Sequence, residues 1–304
     1  MKTLEITHAD KVMFPKSKIT KGDLAQYYER IADTLLPFMK DRPLTLHRFP
    51  EGIHHKGFYQ KNASDYFPDW IKTVEIKKEG GWVNHVVCEN VETLLYLVNQ
   101  GVVTFHVTLS KTDKIDYPDK LIFDLDPPDS NFHAAVTSAK LLRGLLEEEL
   151  GLTTYPMATG STGLHVVVPI CRAENFDEVR DFAKTVARYL ANKHPKEFTV
   201  QLRKHQRSGK LFIDYLRNSY AQTAVCPFSV RAMEGAPVAL PLSWNEVGTQ
   251  ILDAQPFDIH TVFKRLKLKT DPWKDFYRHS QIIGDAKKKL ERLMGETTSE
   301  APIS

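Results

Sequence analysis

Lys120-Leu-Ile-Phe-Asp-Leu-Asp126 is a short apolar run that carries two carboxylates two positions apart and is stopped by Pro127 and Pro128. Its length and its closing prolines predict a β-strand. Successive side chains of a strand leave opposite faces, so Asp124 and Asp126 share one face while Phe123 and Leu125 point into a core. Few folds can host such a strand. One face of its sheet must be buried, and the other must meet something that relieves two adjacent negative charges. A divalent cation is the usual partner, because Mg²⁺ and Mn²⁺ are hard ions that take oxygen ligands. Asp-x-Asp is nevertheless short, and such pairs also stand at strand ends without a metal.

A second apolar strand, Lys210-Leu-Phe-Ile-Asp-Tyr-Leu216, carries Asp214 between Ile213 and Tyr215. Three carboxylates on adjacent strands would form a platform for two metals roughly 3.5–4 Å apart. One metal would activate an attacking hydroxyl and the other would hold a triphosphate, which is the chemistry of nucleotidyl transfer. Between the two strands, Ala158-Thr-Gly-Ser-Thr-Gly-Leu-His165 gathers two glycines and three hydroxyls into one turn. Its N–H groups could form an anion-binding nest, with His165 donating to a phosphate. The same turn could equally be a plain hairpin whose glycines supply positive φ.

The remaining pattern mixes helices and strands without strict alternation. Asp10-Lys-Val-Met-Phe-Pro15 reads as an extended segment and turn. Thr20 caps a helix with Leu24, Tyr28, Ile31 and Leu35 on one face, and Asn90 and Gly101 bracket a second helix. Ser130 and Gly151 bracket a third, and a fourth covers about residues 176–193. Thr153–Met157 and Leu164–Pro169 read as strands, and the tail at roughly 258–294 as helical and basic at its end. The expected fold class is α+β, with a central mixed or antiparallel sheet flanked by helices. No repeat or linker divides the chain, so 1–304 reads as one domain with a catalytic core at about 7–247.

Composition excludes several classes. A chain of 304 residues, 42% hydrophobic and 26% charged, buries a core without disulfide staples. Three cysteines with no Cys-x-x-Cys argue against a disulfide framework or a thiolate metal site, so a cytoplasmic, nucleoid-associated location is expected. The first residues lack a signal-peptide core, and no apolar run reaches the roughly 18 residues of a membrane span. A net charge of only +3 means that any nucleic-acid site must come from local clustering of basic groups.

Taken in order, several segments resemble the polymerase domain of the bacterial and archaeal non-homologous end-joining DNA ligase D, within the archaeo-eukaryotic primase superfamily. They are Asp10-Lys-Val-Met-Phe-Pro15 with Thr20-Lys21, Arg42-Pro43, His47-Arg48-Phe49-Pro50 and Gly57-Phe-Tyr-Gln-Lys61. Phe105-His-Val107, Phe123-Asp-Leu-Asp-Pro127, the glycine turn and Phe212-Ile-Asp214 complete the set, which spans about Thr7 to Val247.

The resemblance implies a primase-type catalytic domain in which Asp124, Asp126 and Asp214 hold two Mn²⁺ or Mg²⁺ ions. It places Thr159, Gly160, Ser161, Thr162 and His165 at the nucleotide phosphates. His47, Arg48, His106, Arg207, Asn218 and Arg231 would join them around the incoming NTP or dNTP, with ribonucleotides preferred. It assigns Lys11 and Lys21 to the 5′-phosphate of gapped or overhanging DNA ends, where clustered ammonium groups suit a dianion. Phe58 and Tyr59, with Lys61 beside them, would stack on template bases, unless the two rings are simply a buried strand pair. Implied partners are Ku and a separate DNA ligase, and no membrane.

Two positions depart from the family pattern: Thr162 and His47 each stand where a Lys is usual. A lost charge-assisted phosphate contact would cost about 1.5–3 kcal/mol, and Arg48 is the expected substitute for the second. His54-His55 lacks metal-ligand spacing, Lys287-Lys-Lys289 reads as a solvated face, and Trp70, Trp82 and Trp244 read as core anchors. Rival readings are a de novo primase, a metal-dependent nuclease using the same carboxylates, and a weak DNA-end binding module.

Overall fold

A computed structural model of the chain describes residues 5–128, 131–251, 253–268 and 271–299. It opens with a small ribbon, β1 (Val12–Phe14) and β2 (Ile19–Thr20), that leads into helix α1 (Lys21–Met39). Thr20 and Asp23 form a reciprocal capping box at the start of α1, and the apolar stripe expected there is buried. Then come β3 (Leu44–Arg48), β4 (Phe58–Gln60), the hairpin β5 (Thr73–Lys78) with β6 (Gly81–Val86), α2 (Val91–Asn99) and β7 (Val102–Thr108). The second half holds β8 (Lys120–Asp126), α3 (Phe132–Arg143), β9 (Tyr155–Ala158), β10 (Leu164–Pro169) and α4 (Phe176–Lys193). It finishes with β11 (Phe198–Thr199), β12 (Leu211–Asp214), β13 (Thr223–Val225), β14 (Leu240–Pro241), α5 (Val262–Leu268) and α6 (Gly284–Ser299).

The main strands divide into two sheets. Six lie in the order β11-β12-β8-β10-β9-β14, antiparallel except for the β11–β12 pair, with α3 and α4 against them. Four lie in the order β13-β7-β3-β4, antiparallel throughout, and α1 and α2 lie beside β7. Buried hydroxyls join the parts: Tyr28 Oη donates to Val103 O on β7 and accepts from Val230 N, while Tyr27 Oη donates to Phe228 O. This α+β architecture matches the expected class.

Several local expectations need correction. Trp70 and Trp82 are 46% and 62% exposed, because Trp82 sits on the two-stranded β5–β6 hairpin, which has no third strand to cover it. Trp244 is partly buried against the core and donates to Thr154. The tail is broken into α5, a 3-10 turn at Phe276–His279 and α6, with Pro272 between α5 and that turn. Ser130, expected to open the third helix, lies outside the described residues; Asn131 caps α3 instead. No helix among the described residues is long and apolar enough to cross a membrane.

The root of β8 carries a buried cation. Burial, reinforced by Arg42, pushes the Lys120 amine down to about 7, although Asp119 opposes the shift. An unfolded Lys titrates near ~10.4, so between these values the unfolded chain binds more protons and stability rises with pH. Lys120→Met is therefore expected to stabilise the protein by about 2–4 kcal/mol at pH 6, with the gain shrinking toward pH 9. Urea denaturation of both proteins at several pH values measures this; an equal gain at pH 6 and pH 9 would contradict it.

Candidate active site

Strand register assembles the carboxylates. Asp214 on β12 pairs directly with Asp124 on β8, and His165 on β10 pairs with Asp124 from the other side. The three thus form one row across the sheet, and Asp126 stands two residues further along β8 on the same face. Asp126 occupies the exposed last position of the strand, whereas Asp124 is buried.

Arg217, which the sequence reading passed over, completes the row. Its Nε donates to Asp124 Oδ2 at 3.0 Å and lies 3.7 Å from Asp214 Oδ2. The signal was its position three residues after Asp214, at the first turn beyond a strand. His165 Nε2 stands 3.5 Å from Asp124 Oδ1. Burial alone would push the Asp124 carboxyl up, but His165 and Arg217 more than offset it and hold that carboxyl well below its ordinary value. Asp126 and Asp214 behave oppositely: desolvation and the Asp124 charge raise both.

Asp124, Asp126, His165 and Arg217 line a cavity of about 200 Å³ between the two sheets, and Asp214 lies beside Asp124 outside that lining. Tyr59, His106 and Thr223–Val225 come from the four-stranded sheet; Asp124, Asp126, His165 and the glycine turn come from the other, with Arg217 and Arg231 at the side. Burial, then Arg231 and His47, keep the His106 imidazole well below its ordinary pKa, so it is neutral at pH 7.

The glycine turn is stitched from within. Thr159 Oγ1 donates to Gly163 O and accepts from Ser161 N and Gly163 N, so two N–H groups of the expected nest are already used. Ser161 and Thr162 still face the cavity. Gly160 adopts φ +67°, and a Cβ there would meet Val238 C at 2.8 Å and Arg231 Cγ at 2.9 Å. A Cβ at Gly163 would meet Leu125 O at 2.2 Å, a backbone atom that cannot yield. Gly163→Ala is accordingly expected to cost about 2–4 kcal/mol in urea denaturation and to disturb the end of β8; wild-type stability in that variant would refute the close approach.

Other candidates part company. On β3, alternate residues face opposite ways: His47 stacks on Tyr59 with centroids 4.0 Å apart and planes at 11°. Arg48 turns away and donates to Gln100 O, Gln60 and Tyr66, so it does not replace a cleft cation. His47 cannot either, because burial and Arg231 push its pKa down to about 4. Asn218 is fully buried; its amide brackets Ile122 N and O on β8, which removes it from the cavity wall and makes it a strap for the turn after β12. Arg207 donates to Gln201 O and Leu202 O and lies over the Phe212 ring, away from the cavity lining. Phe58 and Tyr59, 46% and 61% exposed, are not a buried pair. Lys11 pairs with Glu51 at 2.8 Å, Lys21 is buried and donates to Thr7 O, and Lys61 is exposed. Burial, then the charge of Lys11, lowers the Lys21 pKa.

The donors at Asp124, Asp126 and Asp214 are all hard oxygens, and among the described residues Asp124 Oδ1 is buried with no hydrogen bond closer than the 3.5 Å approach of His165 Nε2, features that fit a divalent cation. Among the described residues, no group of three or more His, Cys, Asp or Glu is gathered into a ready-made metal cage; Arg217 lies across two of the carboxylates.

Residues 20–273 match the family model described as LigD, primase-polymerase domain. The chain is 38% identical over 294 residues to the bifunctional non-homologous end joining protein LigD of Bacillus subtilis, covering 94% of this chain and 47% of that protein. It is 31% identical over 288 residues to the multifunctional LigD of Pseudomonas aeruginosa, covering 94% of this chain and 34% of that protein. The chain thus spans half or less of these relatives. Among solved structures it is similar to the polymerase domain of Mycobacterium tuberculosis ligase D in complex with DNA. That match has a TM-score of 0.82 and 26% identity, over 92% of this chain and all of that one.

Proposed function

The chain belongs to the LigD primase-polymerase family, a family of polymerase-type nucleotidyltransferases, and from that premise we propose that it extends or fills broken DNA ends during non-homologous end joining. The observation that carries the reading is the row Asp214–Asp124 with Asp126, whose Asp124 and Asp126 line a cavity shared with Arg217, Arg231, Tyr59, His106 and the hydroxyls of the glycine turn. A nuclease needs the carboxylates but not that cavity.

In the proposed reaction Asp124, Asp126 and Asp214 hold two Mn²⁺ or Mg²⁺ ions. When bound, these supply charge neutralisation at the triphosphate and activation of the primer 3′-hydroxyl. Arg231, His165 and Ser161 face the space for the triphosphate, and Tyr59 and His106 wall the other side. Arg217 offers a positive charge that can pass from Asp124 to an incoming phosphate, since it is half-buried and borders the same cavity. Lys11 and Lys21 are proposed to hold a 5′-phosphate, and Phe58 to stack on template bases. Ribonucleotide preference, and Ku and a DNA ligase as partners, belong to the same proposal.

The test is extension of a labelled primer across a short gap with a downstream 5′-phosphate, using Mn²⁺ and either NTPs or dNTPs. Templated addition that is lost in Asp126→Ala and improved by the 5′-phosphate supports the reading. Primer shortening would point to a nuclease, and DNA binding without addition to an end-binding module.

A further inference from the structure

Each carboxylate of the row is held by a different group. Arg217 holds Asp124, and the backbone N–H of Leu216 donates to Asp214 Oδ1 at 2.8 Å. Asp126 stands at the exposed end of β8, directly before Pro127 and Pro128. Among the described residues its carboxylate takes one side-chain hydrogen bond, from Thr162 Oγ1 to Oδ1 at 3.0 Å.

The turn that presents Thr162 has little room to retreat. Gly163, the next residue, lies so close to β8 that a Cβ would reach Leu125 O at 2.2 Å and Asp126 Oδ1 at 2.8 Å. Leu164 then enters the ladder opposite Leu125. The hydroxyl of Thr162 is thereby held over the end of the strand by the close backbone contact and the strand pairing of the two residues that follow it.

We propose that Thr162 is a positioning residue for Asp126: its hydroxyl fixes the rotation of that carboxylate and so prepares it to bind a divalent cation. The proposal rests on the reading of Asp126 as a metal ligand. It gives the turn a task other than the phosphate contact expected of a Lys at this position. A short neutral side chain bonded to the carboxylate cannot also reach across the cavity as an ammonium would. An exposed terminal aspartate otherwise loses rotamer freedom when it binds an ion, and an outer hydrogen bond removes that cost beforehand.

The experiment titrates Mn²⁺ into the full chain without nucleotide or DNA, with free Mn²⁺ read by electron paramagnetic resonance. Wild type, Thr162→Val, Thr162→Ser and Asp126→Asn are compared, and circular dichroism melting establishes that each is folded. Thr162→Val keeps the shape and removes the donor; it is expected to weaken Mn²⁺ binding by about 10- to 100-fold. Thr162→Ser keeps the donor and is expected to stay within about twofold of wild type, as a positioning role requires. Should Thr162→Val not fold, Thr162→Ala takes its place with the same expected weakening. Wild-type binding that Asp126→Asn weakens but Thr162→Val leaves unchanged would overturn the proposal and leave the metal site standing. Mn²⁺ binding that is absent in wild type, or unaffected by Asp126→Asn, would overturn the metal-ligand reading itself and the proposal with it.

Discussion

Asp124→Asn is expected to lower templated nucleotide addition by about 10³-fold or more while leaving a folded protein, because an amide cannot supply the charge that binds and neutralises a divalent cation. The same substitution carries a second signature in stability. His165 and Arg217 hold the Asp124 carboxyl below its ordinary value, despite burial that opposes them. A carboxylate depressed in the folded state stabilises above its unfolded pKa, near ~3.9, and that contribution is lost as pH falls through the folded value. Without added metal, Asp124→Asn should therefore be less stable than wild type at pH 7 by about 1–2 kcal/mol, with the gap closing below about pH 3. Primer extension checks the first effect and urea denaturation at pH 7 and pH 3 the second. An unchanged extension rate would remove Asp124 from the catalytic row.

Arg42→Ala is expected to have the largest effect on stability, about 3–5 kcal/mol, through loss of one partner of a buried ion pair. Arg42 is fully buried, paired with Asp119, and donates to Thr108 O and to Tyr277 Oη, each at 3.2 Å. It therefore ties β7, the root of β8 and the C-terminal segment together. Removing it leaves the Asp119 carboxylate buried without its main counter-charge. Burial would raise that carboxyl, and Arg42 more than reverses this, so Asp119 stabilises above about pH 4 and less below it. The loss in Arg42→Ala should accordingly shrink as pH falls through that region. Urea denaturation at pH 7 and pH 3 measures it, and a loss under about 1 kcal/mol at pH 7 would contradict the buried pair.

How much was legible in the sequence follows from the range of each interaction. β8 could be read residue by residue, because two-residue alternation and terminal prolines are local signals, and they put Asp124 and Asp126 on one face. The capped starts of α1 and α2 and the extent of α4 were readable for the same reason. Asp214 was legible as a charge between Ile213 and Tyr215 on a second apolar strand, and the strand pairing places it directly beside Asp124. That His47 and Arg48 must face opposite ways was also implicit in a strand, but which of the two packs against Tyr59 was not.

That choice belongs to the tertiary structure. Only the position of β3 between β4 and β7 decides that His47 lies against Tyr59 while Arg48 is spent on Gln100 O, Gln60 and Tyr66. Only the approach of the turn after β12 to β8 turns Asn218 into a strap and brings Arg217 onto Asp124. Likewise Thr162 reads as a missing lysine until the turn is folded back on β8, where its hydroxyl meets Asp126. Local alternation and propensity decided which residues could carry charge on one face of a strand, since both act over a few neighbours. The partner of each charge was decided by contacts between residues tens of positions apart, whose distances and electrostatics exist only once the two sheets close around the cavity.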